Sequence, residues 1–154
     1  MSEEVQFIDY RSLKIGDYEL HVYIQETRGL VHPTDNSSLV DPIIKLTSFS
    51  KTQTTKTKYD RGPSMIYWGE HIFFNKKIEE NEELQSEKLK IEVLDYNLIG
   101  SNALIGSHEI DLMRIYFSEE HCLKHQWVAL SNYDKKFNEI KGICKIKVKN
   151  LIQL

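Results

Sequence analysis

Two short acidic segments, far apart in the chain, contain the side chains best suited to bind a metal ion. Asp35 and Asp41 are six residues apart in TDNSSLVDP, and Asp95 and Asn97 lie in VLDYNLIGS. Loops can bend such side chains toward one point, and a hard cation such as calcium takes about six to eight oxygen ligands. Each residue taken singly is also a common turn former, because Asp and Asn bond to their own backbone. The joint arrangement favours a cation site built from two loops.

Alternating apolar and polar residues around both acidic segments predict β-strands. In YELHVYI, residues 18–24, the alternation has a period of two, as in a strand with one buried face. DPIIKLTSF begins at Asp41, and its proline suits the first position of a strand. Short β-rich segments separated by polar turns favour a sandwich or a barrel over a helical bundle. The other predicted strands are TQTTKTKY, HIFF, LKIEVLD, ALIGSHEIDL, QWVAL and ICKIKVKNL, so about eight strands are expected.

Two connections have helical rather than strand-like patterns. KKIEENEELQSE is strongly charged, and DLMRIYFSEEHCL places Leu112, Ile115 and Tyr116 at helical spacing. The first dozen residues fit either an extra edge strand or an ordered tail. We therefore expect an all-β domain with one or two short helices in its connections.

Length and composition limit the classes of function. The 154 residues, 40% hydrophobic and 28% charged, predict one globular domain. The net charge of -3 argues against nucleic acid as a partner, although residues 43–61 have a local balance of +4 and residues 77–95 one of -4. Two cysteines, no leader and no long apolar run favour a reduced cytoplasmic setting. No nucleophile signature or phosphate-binding glycine loop occurs, so we expect no enzyme activity.

Several of these segments together resemble the C2 domain family, over roughly residues 17–151. The likeness implies an eight-stranded antiparallel β-sandwich of Greek-key type spanning residues 17–154, with residues 1–16 as an N-terminal extension or extra edge strand. It leaves open which of the two C2 strand orders is present. The matching segments are YELHVYIQETRGL, DNSSLVDP, KTKYDRGPSMIYWGEHIFF and VLDYNLIGSNALIG.

The C2 resemblance also implies a calcium site, in a degenerate form. The ligand positions of the family correspond to Asp35, Asp41, Asp95, Asn97 and Ala103. Ala103 has no side-chain oxygen and Asn97 is neutral, so three negative charges replace five. Because ligand charge tunes calcium affinity, we expect either no binding or a weak site, with a dissociation constant of about 10⁻⁴ to 10⁻³ M.

A narrower resemblance to the ferlin subgroup follows in LIGSHEIDLMRIYFSEEHCLKHQWVAL. It implies that the chain is one module of a large vesicle-trafficking protein, tail-anchored in a vesicle or the plasma membrane. The module itself would lie in the cytoplasm at a membrane surface. The matching residues are Ile105, Gly106, Asp111, Tyr116, His121, Trp127 and Leu130.

Two groups of residues are candidates for membrane contact. By the C2 resemblance the cation-site loops face a bilayer, and Leu98 and Ile99 occupy the tip of one of them. The alternative is that either side chain folds back onto the core. Lys45, Lys56 and Lys58 would form a basic patch for acidic lipid headgroups, with Lys56 and Lys58 on one face of a strand. A solvated edge strand gives a similar lysine pattern.

Two hypotheses of function follow. In the first, the chain is a ferlin-like docking module for acidic phospholipid, with weak or no calcium dependence. In the second, it is a scaffold domain that binds a protein, such as another C2 domain of the same parent or a trafficking protein, and never touches lipid. The missing carboxylate at Ala103 favours the second hypothesis.

Overall fold

The computed structural model describes residues 13–35, 37–132 and 139–153. The prediction for the N-terminal segment falls mostly outside these ranges, and the first described strand begins at Gly16. Two short helices, α1 (Asn81–Gln85) and α2 (Leu112–Tyr116), lie in connections. The described strands are β1 (Gly16–Arg28), β2 (Pro42–Ser48), β3 (Lys51–Thr54), β4 (Ile66–Ile78), β5 (Lys88–Asp95), β6 (Ala103–Asp111), β7 (Cys122–Asn132) and β8 (Glu139–Gln153).

The strands form two antiparallel layers of four, in the orders β3-β2-β5-β6 and β7-β8-β1-β4. A single residue pair, Ser107 with Ser131, links β6 to β7 and so connects the layers. Neighbours such as β2 and β5 or β1 and β4 are not consecutive in the chain, so connections cross the ends of the sandwich as in a Greek key. The predicted fold class, an all-β antiparallel sandwich, is confirmed. The C-terminal strand β8 lies between β7 and β1, which settles a strand order that the sequence left open.

The core lies between the layers and follows the predicted alternation. In β1, Tyr18, Leu20, Val22 and Ile24 are buried, while the residues between them are half-buried on the outer face. The other central strands repeat the pattern, because successive side chains of a strand point to opposite faces. Lys145, Lys147 and Lys149 of β8 therefore lie on the outer face, opposite the buried Cys144, Ile146 and Val148, whereas Lys141 of the same strand is buried.

Both predicted helices exist but are shorter than the sequence segments that predicted them. Lys76 and Lys77 belong to β4, where they pair with Tyr18 and Asp17 of β1, so α1 begins only after the strand has ended. Leu112, Met113, Ile115 and Tyr116 of α2 are buried. A separate 3₁₀ turn, Glu119–His121, follows α2 and leads directly into β7.

The predicted threonine-rich strand is too long. Strand β3 ends at Thr54, and the Thr55 hydroxyl accepts the N–H of Ile44 at 3.0 Å, where a continued ladder would supply a backbone carbonyl. The N–H of Lys56 then points to the Glu70 carboxylate, 3.2 Å away. Lys56 and Lys58 consequently lie in an irregular segment rather than in a strand, which corrects the prediction.

Candidate functional site

The two acidic segments meet at one end of the sandwich. This end, called the loop pole here, consists of the described parts of connections 29–41, 55–65 and 96–102. The Asp41 N–H donates to Asp95 Oδ1 at 2.8 Å, and the Tyr96 N–H donates to the Asp41 carbonyl at 2.8 Å. Pro42 also pairs with Asp95 across β2 and β5. Strand pairing therefore brings together two acidic residues that are 54 positions apart in sequence.

Asp35 lies on the loop pole, but its carboxylate binds its own loop. Oδ1 accepts the Ser37 N–H at 3.0 Å and the Ser37 hydroxyl at 2.7 Å, and Oδ2 accepts the Ser38 hydroxyl at 2.7 Å. These donors favour the charged form and lower the pKa of Asp35 to about 2. This is the turn-forming role that Asp commonly takes.

His32, which the sequence analysis did not identify, connects the two acidic segments. Its Nδ1 accepts the N–H of Asp35 at 3.1 Å and that of Thr34 at 3.3 Å. Two donors at Nδ1 place the ring proton on Nε2, which lies 3.4 Å from Asp95 Oδ2. The signal available in the sequence was a histidine three residues before Asp35 in the same connection.

Apolar side chains project from all three connections of the loop pole. Leu98 is 86% exposed and Ile99 is 91% exposed, so neither folds back onto the core. Leu39, Tyr59 and Met65 are also exposed and were not singled out from the sequence. Each follows a polar loop residue and none is adjacent to another, so the sequence does not show them as one apolar group. Grouped exposed apolar side chains are characteristic of an interaction surface.

The predicted basic residues Lys45, Lys56 and Lys58 have both carboxylate and aromatic neighbours. Lys45 faces outward from β2, directly opposite Glu92 of β5. Lys56 and Lys58 border a shallow cavity of about 450 Å³ together with Glu70 and Trp68. The ammonium of Lys58 lies 5.9 Å from the centre of the Trp68 ring. Carboxylates thus lie beside the positive charge of the segment.

A family model decides the classification: the model for the C2 domain matches residues 18–130. This chain belongs to the C2 domain family. Its ferlin likeness is supported by the protein Ferlin 2 of Tetrahymena thermophila, which is 28% identical over 120 residues. The match covers 77% of this chain but only 7% of Ferlin 2. The predicted resemblance to a ferlin-like C2 domain is confirmed.

Solved structures with the same fold include chains much longer than this one. A structure of Extended-Synaptotagmin 2 with its SMP domain and two C2 domains aligns with a TM-score of 0.70 at 21% identity, covering 90% of this chain and 28% of that one. A calcium-bound structure of the two C2 domains alone aligns with a TM-score of 0.67 at 21% identity, covering 90% and 44%. Human GIVD cytosolic phospholipase A2, in complex with methyl gamma-linolenyl fluorophosphonate, aligns with a TM-score of 0.61 at 15% identity, covering 90% and 18%. These likenesses establish the fold of the C2 domain.

The calcium positions of this C2 domain depart from a full ligand set in geometry as well as in charge. Asn97 donates from Nδ2 to the Ser101 carbonyl at 2.9 Å, and its N–H is accepted by Asn102 at 2.9 Å. Ala103 begins β6 directly opposite Asp95, so a methyl group occupies the position of a family ligand. Among the described residues, no group of three or more His, Cys, Asp or Glu side chains is arranged to hold a metal ion. The oxygens present do not fit a complete calcium cage.

Two further features of the C2 domain bear on its chemistry. Cys122 and Cys144 are free and buried, and burial raises the pKa of Cys144 to about 12. A thiol held in its neutral form is a poor nucleophile. In the part of the chain that the structure describes, no helix combines the length and apolar character needed to cross a bilayer.

Proposed function

We propose that this C2 domain is a non-catalytic docking module that brings a ferlin-like vesicle-trafficking or fusion protein to acidic phospholipid membranes. The observation that supports this proposal is the cluster of exposed apolar side chains at the loop pole, with Leu98 and Ile99 the most exposed. The domain would lie at the cytoplasmic surface of the membrane, and a tail anchor elsewhere in the parent would hold the parent to a vesicle or the plasma membrane.

The affinity of a single domain should be modest and reversible. Burying one aliphatic side chain such as Leu98 contributes about 1.5 to 3 kcal/mol. Each lysine near an acidic leaflet adds about 1 kcal/mol. Since this chain spans 7% of Ferlin 2, a parent of that size has room for further domains, and linked domains multiply weak affinities.

Calcium has a weak role or none in this proposal. Asp41 and Asp95 are already joined by a hydrogen bond from the Asp41 backbone, and the His32 imidazole faces the second oxygen of Asp95. These contacts join the two loops through their own polar groups. Asp35, Asp41, Asp95 and Asn97 would supply at most a low-affinity site, because three carboxylates attract calcium less strongly than five.

Vesicle co-sedimentation tests the proposal. The chain should pellet with phosphatidylcholine vesicles that contain phosphatidylserine, and less with phosphatidylcholine alone, with similar recovery in calcium and in a chelator. The double substitution Leu98→Asp and Ile99→Asp should abolish binding. Leu98→Asp alone and Ile15→Asp form the charge-matched comparison, because Ile15 is exposed at the opposite end of the sandwich. Equal recovery with neutral and acidic vesicles would contradict the proposal.

A scaffold domain that binds protein is the second candidate. It is favoured by Ala103, which removes a ligand from one of the calcium positions that the C2 resemblance implies, and an exposed apolar cluster also fits a protein surface. Under this alternative the Leu98→Asp and Ile99→Asp variant would no longer bind a protein partner, such as another C2 domain of the parent. Neither the wild type nor the variant would pellet with vesicles.

A further inference from the structure

The outer face of the β7-β8-β1-β4 layer has a surface that the C2 resemblance does not assign. Lys145, Lys147 and Lys149 alternate along β8 and therefore point to one face. In neighbouring strands the register places Trp127 beside Lys145 and Tyr23 beside Lys147. We call this the aromatic-lysine face, made up of these five residues with His21, His71 and Phe73.

Two lysines of this face, Lys145 and Lys147, lie over aromatic rings. The Lys147 ammonium lies 5.4 Å from the centre of the Tyr23 ring, and the Lys145 ammonium lies 5.7 Å from that of Trp127. Within the described residues, neither lysine has a carboxylate at ion-pair distance. A cation over an aromatic ring keeps its full charge while its position is fixed. Both charges therefore stay available to an external anion.

Rings from β1 and β4 continue the face as a stacked row. The Tyr23 and His71 rings stack with centroids 4.3 Å apart and planes 4° apart. The His21 and His71 rings have centroids 5.0 Å apart, and Nδ1 of His21 lies 2.8 Å from Nε2 of His71. His21 Nε2 is 3.0 Å from the Glu19 carboxylate, which fixes the His21 ring. The three rings thus form one ordered aromatic row beside the lysines.

The charges and the exposed rings indicate the kind of partner. Beside the three lysines lie Arg28 and the acidic residues Asp17, Glu19 and Glu26 of β1. Glu26 is opposite Lys145 in the β1–β8 register, and its carboxylate lies 3.0 Å from Arg28 Nε. Lys149 also interacts electrostatically with Glu120, whose pKa is lowered chiefly by Lys124 and secondarily by Lys149. Half-exposed aromatic rings beside lysines are typical of the interface between water and an acidic bilayer.

The face is also continuous with the loop pole. Tyr67, 70% exposed, is the second residue of β4, and Arg28 is the last residue of β1, so both lie where the face reaches the loop pole. Arg28 lies 5.3 Å from the centre of the Trp127 ring. A planar bilayer can therefore touch the pole and the face at once when the domain is tilted.

We propose that the aromatic-lysine face is a second docking surface for an acidic phospholipid bilayer, so that the domain lies against the membrane on this face while its loop pole inserts. The inference rests on the proposed function, because it uses the same partner. It differs in the residues that make the contact: Lys145, Lys147 and Trp127 rather than the loop tips or Lys56 and Lys58.

The test compares two charge-matched double variants of the full chain on phosphatidylcholine vesicles with and without phosphatidylserine. Lys145→Gln with Lys147→Gln removes two charges from the face, and Lys88→Gln with Lys90→Gln removes two from the opposite layer. The first should lower partition to acidic vesicles about 30-fold, the attraction of two lysines near an acidic leaflet, and the second should change it little. Lys145→Arg with Lys147→Arg should retain binding, since it keeps the charge.

Trp127 gives a second readout that does not depend on a charge variant. In a Trp68→Phe chain, Trp127 is the only remaining tryptophan, and its emission should shift to shorter wavelength on acidic vesicles. An unshifted emission with vesicles bound, or equal partition of both double variants, would overturn the inference.

The outcomes separate this inference from the proposed function. If Leu98→Asp with Ile99→Asp abolishes binding while the Lys145 and Lys147 variant binds normally, the loop pole docks and the face does not. If the face variant alone weakens binding, the face docks and the loop tips do not. If the wild type ignores vesicles but binds polyglutamate through Lys145 and Lys147, the face recognises acidic peptide and the inference is wrong.

Discussion

The two outer faces of the sandwich use lysine in opposite ways. On the β3-β2-β5-β6 layer, Lys88 lies 3.6 Å from Glu109 and Lys90 lies 3.9 Å from Glu92. On the β7-β8-β1-β4 layer, Lys145 and Lys147 lie over aromatic rings. The first arrangement returns the local charge to zero and the second leaves it positive. The linear charge balance of a segment is therefore a poor guide to the charge of the surface it forms.

The largest effect on stability is expected from truncating a core residue beneath the aromatic-lysine face, compared with truncating its exposed neighbour. Phe73 and Phe74 are adjacent in β4, but Phe73 is 47% exposed and Phe74 is 1% exposed. Phe74→Ala should lower the free energy of unfolding by about 3 to 5 kcal/mol, because it leaves a cavity. Phe73→Ala should lower it by less than about 1 kcal/mol. Urea unfolding of both variants measures the contrast, and equal losses would mean that the face is part of the core.

The junction between the two layers should be the next most sensitive point. A Cβ added to Gly106 would lie 2.9 Å from the backbone carbon of Leu130, where the layers join. Gly106→Ala should therefore lower the free energy of unfolding by about 1 to 3 kcal/mol. Gly62→Ala is the control, since its nearest neighbour would be 3.9 Å away. Thermal unfolding that is unchanged in Gly106→Ala would show that β6 and β7 can move apart freely.

Double-mutant cycles would compare the two kinds of lysine directly. The coupling between Lys147 and Tyr23 should be about 0.5 to 1 kcal/mol. The pair Lys90 and Glu92 should couple by about 0.2 to 1 kcal/mol, and added salt should reduce this value by screening. Urea unfolding at low and high ionic strength gives both numbers. A Lys147–Tyr23 coupling near zero would remove the distinction between the faces.

The smallest expected effect is the lowering of the pKa of His71, which lies on the aromatic-lysine face. Burial and then the neighbouring His21 lower the pKa of His71 below 6.5. Because the folded pKa is depressed, the folded state binds fewer protons, so the contribution of His71 to stability is complete above pH 6.5 and decreases as the pH falls below it. NMR titration of the imidazoles should show this shift. His21→Gln should raise the pKa of His71 only partly, since burial persists, and a full return to 6.5 would exclude burial as the main cause.

Much of the architecture was predictable because it depends on local alternation. Most apolar positions of YELHVYI and ICKIKVKNL are buried, whereas the polar Thr27, Lys141 and Asn150 of β1 and β8 are buried against the pattern. The error in the TQTTKTKY segment arose from one side chain, the Thr55 hydroxyl, which replaces a backbone acceptor for Ile44. Strand propensity does not indicate where a side chain replaces the backbone as a hydrogen-bond acceptor. The meeting of Asp41 with Asp95 followed from the C2 resemblance, whereas the bridging position of His32 did not.

By itself, the sequence determined the all-β class, the buried face of each central strand and the family, because period-two alternation and loop motifs are local properties. Only the tertiary structure decided which charges remain free. Lys88 and Lys147 both lie on the outer face of an alternating strand, and their difference comes from the neighbouring strand, which supplies Glu109 in one case and Tyr23 in the other. Cross-strand pairing sets the neighbours of Lys147, and β8 acquires β1 as a partner only when the two ends of the chain come together in the sandwich.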